Sequence, residues 1–362
     1  LWTDLLNIHL GKMNVWIPVL AGATYIIWSN GERLKNKITS YISNKRCSIK
    51  SFIKLKVNEE FVLVILVLLI FFTRFWVIRE LPGPMWGDSV HHTMISKLIV
   101  NNGGLFDSWK PYAELSSLTY HFGFHSAVAV FHWISGVEVI DSVLFVGQII
   151  NGFAVLMLYP LVKSFTKNVH LGGIAAILTA GLLLKFPMFY VNWGRYTQLT
   201  GQVIVPVIMI LFVHLLKQEV FNWKVSLIIA ILMAGLGLTH YRVFVLAISF
   251  CLIALFFYVN KQNVKHISKN LIIASVLSLI MFLPWLNNIW GGELADYALS
   301  GVSSSLTNGI KPAVFFDQLI SYYPLWLWIT FILGFLYALV FTNKSLLLIF
   351  TWSFAIVIIV NP

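Results

Sequence analysis

The sequence predicts an all-α polytopic membrane protein, and three observations carry that reading. Of its 362 residues 59% are hydrophobic and 11% charged, with a mean hydropathy of +0.83, which is too apolar for a water-soluble domain of this length. Apolar runs near the ~20 residues needed to cross a bilayer recur along the whole chain. The runs are continuous rather than alternating. Since only helices and closed barrels satisfy the backbone in lipid, this pattern selects helices.

Ten spans are expected: Met13 to Trp28, Phe61 to Ile78, Val139 to Leu161, Leu171 to Tyr190, Gln202 to Leu216, Val225 to Thr239, Val243 to Tyr258, Leu271 to Leu286, Leu325 to Phe341 and Leu346 to Val360. They read as one transmembrane unit over residues 1–362. The chain opens at Leu1 and stops at Pro362 just after an apolar run, so it is expected to be truncated at both ends. Cys47 lies in a basic loop and Cys251 in an apolar run, so neither a disulfide framework nor a cysteine metal site follows. The formal charge of +11 is concentrated between Arg33 and Lys56. A cytoplasmic loop at the membrane face accounts for it, and no nucleic-acid partner is expected.

Lysine and arginine in short loops give the orientation. Sixteen of the 25 basic residues fall on one side, from Arg33 to Lys56 and again at Lys163, Lys167, Lys217, Lys224, Lys261, Lys265, Lys269 and Lys344, and that side is assigned to the cytoplasm of a plasma-membrane protein. Parity then settles one segment. A crossing between Gly123 and Gly136 would place the Lys261 to Lys269 cluster outside, so this stretch, with His125 and His132, is expected to lie along the membrane surface.

Function is sought in the first large outer loop, residues 79–137. After the Pro82-Gly83-Pro84 turn, Asp88 opens a helix running to Asn101, whose apolar stripe of Val90, Met94, Ile95, Leu98 and Ile99 is expected to rest on the membrane. Asp88, His91 and His92 then share its polar side, facing an aqueous cleft. Asp88 reads both as an N-cap and as a catalytic residue, and the two roles are compatible. His121 and His125 repeat the four-residue spacing. They could hold a divalent metal, as Asp88 with His92 could, or simply hydrogen-bond at the interface. No cofactor beyond that metal is suggested.

Two further outer segments contribute cations. VNWGRYTQLTGQ carries Arg195, and LTHYRVF places His240, Tyr241 and Arg242 in a turn with almost no loop around it. A guanidinium at this depth is costly unless it meets a phosphate, carboxylate or water. Arg195 and Arg242 therefore read as phosphate ligands or as snorkelling side chains, and Arg74, alone near the outer end of its span, reads as a snorkeller.

A span leading outward, WGDSVHHTMISKLIVNNGG, SWKPY, YHFGFH and a second surface helix together resemble the first outer loop of the GT-C glycosyltransferases, such as oligosaccharyltransferase catalytic subunits, protein O-mannosyltransferases and aminoarabinose transferases. The likeness covers Phe61 to Asn260 in arrangement. It implies a GT-C-like helical bundle whose outer loops hold a polyprenyl-phosphate sugar donor, with Asp88 as catalytic carboxylate and a glycan, lipid or protein as acceptor. Many members of that superfamily carry a paired acidic motif, whereas Ser89 follows Asp88 here and histidines occupy the nearby positions. A transporter or flippase of a lipid-linked or anionic substrate is the competing reading. It calls for ionisable residues deep inside spans and often a repeated half.

The topology makes a direct prediction. In single-cysteine variants on a cysteine-free background, a membrane-impermeant maleimide added from outside should label Lys110→Cys and spare Lys45→Cys; the reverse pattern would overturn the orientation.

Overall fold

A computed structural model describes residues 1–43, 59–116, 118–181, 187, 189–218, 220–290, 300 and 324–360. Lys45, Cys47, Lys185, Lys311, Tyr322 and most of the basic loop lie outside the described residues.

Among the described residues the chain is helical. The elements are α1 (Gly11–Asn14), α2 (Trp16–Ser43), α3 (Glu59–Ile78), α4 (Gly87–Asn102), α5 (Gly123–Ser135), α6 (Val139–Leu156), α7 (Leu158–Thr166), α8 (Val169–Gly181) and α9 (Phe189–Asn192), followed by α10 (Tyr196–Leu216), α11 (Trp223–Thr239), α12 (Tyr241–Tyr258), α13 (Val264–Trp290), α14 (Leu325–Val340) and α15 (Lys344–Val360). Four stretches are long and apolar enough to cross a membrane: Val139–Thr166, Tyr196–Leu216, Tyr241–Tyr258 and Val264–Leu286. Five shorter apolar helices accompany them. Helix α5 has 13 residues, a length of ~20 Å at 1.5 Å per residue, which falls short of a ~30 Å hydrocarbon core.

Helix α10 is the hub. It packs on α5, α6, α7, α11 and α12, and its Leu199, Val205, Ile208, Met209, Phe212, Leu215 and Leu216 are buried. Tyr196, at its first position, is fully buried and stacks on Phe124 of α5 with ring centroids 5.1 Å apart and planes 7° from parallel. At the other end of the bundle Asn270 of α13 accepts from the Ser226 hydroxyl at 3.0 Å and from the Asn222 backbone N–H at 3.0 Å. Asn222 in turn caps α11 through the Val225 N–H. Polar pairing of this kind holds helices together where apolar contact alone gives little preference.

The short helices α4 and α5 pack against each other, and both pack against α6. Of the expected stripe, Ile95, Leu98 and Ile99 are buried, but Val90 is exposed. The inward face instead includes Ser89, His92 and Ser96, because α4 buries that side against protein rather than lipid; Ser89 and His92 find partners there, whereas Ser96 Oγ has none. His92 therefore leaves the polar face it was expected to share with Asp88 and the exposed His91.

Close packing at α10 depends on glycine. A Cβ built on Gly147 of α6 would lie 2.4 Å from Cε1 of Tyr196. Gly147→Ala should lower stability by about 1–3 kcal/mol through overpacking. Gly173→Ala, which meets nothing within 4 Å, should be neutral or stabilising. Thermal denaturation of the purified variants in detergent distinguishes them.

Candidate functional site

The site assembles where the start of α4, the segment before α5, the start of α10 and the α11–α12 junction meet. Asp88 is the second residue of α4, and the N-cap is Trp86, whose side chain makes no capping hydrogen bond. The expected capping role for Asp88 is therefore incorrect: its carboxylate sits in the first turn, favoured by the helix dipole, but closes no backbone donor as a cap would. Trp86 adopts φ 74 and ψ 156. A non-glycine residue there is strained, and such strain persists where surrounding structure fixes it.

Gly194 seats Arg195 against Asp88. Its φ is +64, and a Cβ on it would fall 2.6 Å from Oγ and 2.8 Å from the backbone N of Ser89. The glycine thus lets two chain segments touch backbone to backbone. Arg195 Nε then lies 3.5 Å from Asp88 Oδ2, with both side chains about half exposed. An ion pair this open adds little to stability, so stability alone does not account for a carboxylate and a guanidinium held together at this position.

Behind the pair lies a row of four imidazoles. His92 Nδ1 and His125 Nε2 are 2.9 Å apart. His92 also hydrogen-bonds the Gly194 backbone; if its Nε2–H donates there, His125 Nε2–H donates to His92 Nδ1. His121 stacks on Tyr120 at 3.9 Å and lies 4.9 Å from His240, ring centre to ring centre. His240 Nδ1 accepts from the Val243 N–H at 3.3 Å, capping α12 and leaving Nε2 to carry the proton of the neutral ring. Desolvation pushes His92 and His240 down to about 4 and His121 to about 3, and drives His125 well below its ordinary value. All four are neutral at pH 7. The nearby formal charges are then two guanidiniums, Arg195 and Arg242, against one carboxylate, and both cations act on His240.

The structure sorts the sequence candidates. It brings Asp88, Arg195, His92, His125, His121 and His240 into one cluster, leaves His91 exposed at its edge, and places exposed Arg242 two residues beyond His240. Tyr241 is a strut: its hydroxyl donates to Thr119 O at 3.0 Å and accepts from Trp285 Nε1 at 2.9 Å, so both its hydrogen-bonding roles are filled within the protein. His121 and His125 do not face one metal, because α5 begins between them and turns the first toward His240 and the second toward His92. Among the described residues no group of three His, Cys, Asp or Glu is placed to hold a metal ion. Sequence reasoning passed over Gly194, Tyr196 and Tyr120. Gly194 carried a signal, a glycine directly before the one arginine in an aromatic, amide-rich segment; the tyrosines were absorbed into the general aromatic content.

The chain belongs to a family of unknown function, DUF6541, which it matches over residues 13–361. No curated protein matches it.

Because the histidine pKa values are lowered in the folded state from 6.5 to about 4 and about 3, the unfolded chain binds more protons between those limits. Stability should therefore hold above pH 6.5 and fall as pH drops toward 4. Thermal midpoints between pH 8 and pH 5 should show this slope, and His121→Gln should flatten it.

Proposed function

We propose that this protein is an integral membrane glycosyltransferase of the GT-C kind, with ten spans and its site on the extracytoplasmic face of the plasma membrane, moving a sugar from a polyprenyl-phosphate donor to a hydroxyl or amide acceptor. The observation that carries the reading is the half-exposed Asp88 carboxylate held 3.5 Å from Arg195 at the first turn of α4, beside imidazoles kept neutral by burial.

The chemistry follows from those groups. As the bond between the sugar and the phosphate oxygen breaks, the acceptor forms a bond to the anomeric carbon and gives its proton to Asp88. The departing phosphate keeps the bonding electrons, and Arg195 and Arg242 offset the charge that develops on it. His92 and His125 lie behind the reacting groups and hold the Asp88 turn against Gly194. Exposed His91 is available to the acceptor side. A net excess of guanidinium suits an anionic donor and leaves a carboxylate free for the acceptor.

A second reading, a transporter or flippase of an anionic or lipid-linked substrate, is favoured by buried Arg74, Gln148 and Asn151 inside α3 and α6. Transfer and translocation are separable in proteoliposomes.

Asp88→Asn removes the charge without removing a cap. It should cut sugar transfer from a panel of polyprenyl-phosphate sugars by about 10²- to 10⁴-fold, the usual contribution of a positioned base, with an unchanged melting temperature. Arg242→Lys should weaken donor use by about tenfold through loss of the planar two-pronged contact, whereas Arg79→Lys, at a guanidinium stacked 4.2 Å over Trp76, should not. Normal transfer by Asp88→Asn with any donor in the panel would sink the proposal.

A further inference from the structure

Arg74 does not behave as a snorkelling arginine. It lies in α3, one turn from the end of the helix, and only 5% of it is exposed. Nη1 reaches Thr73 Oγ1 at 3.3 Å, but Nε and Nη2 are buried with no hydrogen-bond partner. A snorkelling side chain ends in the headgroups, whereas Arg74 is held between α3 and α6, which pack together, and lines a cavity of about 400 Å³.

The other polar groups of that cavity are Gln148 and Asn151 of α6, Asn192 of α9 and Tyr196 of α10. Gln148 and Asn151 are 4% and 2% exposed, and Asn151 Oδ1 is a further buried atom without a partner. No carboxylate lines the cavity among the described residues. A buried guanidinium without a counter-ion is among the costliest arrangements a membrane protein can hold, and an anion seated in the cavity removes that cost. The remaining walls, including Val77, Leu144 and Phe189, are apolar, which suits an acyl or prenyl tail next to the anionic head.

We propose that the cavity between α3 and α6 binds a phosphate monoester group, with the Arg74 guanidinium turning to donate to its oxygens and the Asn151 amide oxygen accepting from its P–OH. The unpartnered amide oxygen is what selects the class: a hydrogen-phosphate monoester carries both the negative charge and an O–H donor, whereas an ionised phosphodiester or carboxylate carries no donor. The pocket shares walls with the Asp88 site. Met85, whose carbonyl accepts from the Ser89 hydroxyl, lines it, as does Tyr196, which follows Arg195. Occupancy is independent of any transferase chemistry and does not need Asp88.

The test is binding to the full chain in phosphatidylcholine nanodiscs, by thermal shift and native mass spectrometry, with dioleoyl phosphatidic acid, dioleoyl phosphatidylglycerol and inorganic phosphate as probes. Phosphatidic acid should raise the melting temperature of the wild type, and Arg74→Met should weaken its binding by about 30-fold or more, the lower end of what losing one partner of a buried charge pair costs. Asn151→Leu should weaken it too, and provides the test should Arg74→Met not fold. Inorganic phosphate matching phosphatidic acid would assign the pocket to a free phosphate and uphold the head-group chemistry. Equal response to phosphatidylglycerol, or equal binding by wild type and both variants, would overturn the proposal. Asp88→Asn should bind as the wild type does, so loss of sugar transfer and loss of this site are read separately.

Discussion

The ring of Tyr196 holds the arrangement together. It fills the space that Gly147 leaves open on α6, lies flat on Phe124 of α5, and stands edge-on to His92 with centroids 5.8 Å apart. One buried side chain thereby fixes α6, α10, α5 and α4 relative to each other. Its position in the chain matters as much as its contacts. Arg195 precedes it by one residue and Gly194 by two, so burying the ring at the first turn of α10 delivers the guanidinium to Asp88 and presses the Gly194 backbone on Ser89. In such close packing the pieces cannot shift independently.

A second constraint is the absence of water along most of each helix. Backbone donors and acceptors are used up within the helices, so side-chain chemistry gathers where helices begin and end. The imidazole row fits this logic: each ring sits in a capping residue, a short connection or the first turns of a helix, yet is buried enough to stay neutral. Neutral rings can pass and fix hydrogen bonds without adding charge next to the Asp88–Arg195 pair. Arg74 and Asn151 depart from it, since they place unmatched polarity within long helices.

Much of the helix inventory was legible in the sequence. Six of the ten expected spans fall within a single described helix, Leu325 to Phe341 runs one residue past α14, and Met13 to Trp28 and Val139 to Leu161 each run across two successive helices, α1 with α2 and α6 with α7. The exception is Leu171 to Tyr190, of which α8 covers only the part to Gly181. Gly123 to Ser135 forms a helix of 13 residues. The long apolar runs made this possible, because their signal does not depend on neighbours. What the sequence could not reveal was which side of each short helix meets protein. Periodicity placed Val90 inward and His92 outward, since it assigns apolar residues to the covered face, whereas α4 is covered by a polar and aromatic surface that accepts imidazole and hydroxyl groups. The Asp88 cap failed for a related reason: the N-cap falls two residues earlier, at Trp86, through backbone geometry that residue preferences do not encode. Arg74 was misjudged because nothing in its own span announces Gln148 and Asn151 on another helix.

The junction of α11 and α12 is a single residue, His240, in extended conformation with φ −166 and ψ 111. A connection this short has no slack, so any tilt of α12 against α11 must be taken up at this one residue. Its Nδ1 is bound to the next turn through Val243, and its ring lies beside His121, so tilting α12 against α11 would load the cap and the neighbouring ring together. The far arm of α12 packs on α15. His240 is thus the one residue through which the chain passes from α11 to α12, and it caps the helix on which α15 packs.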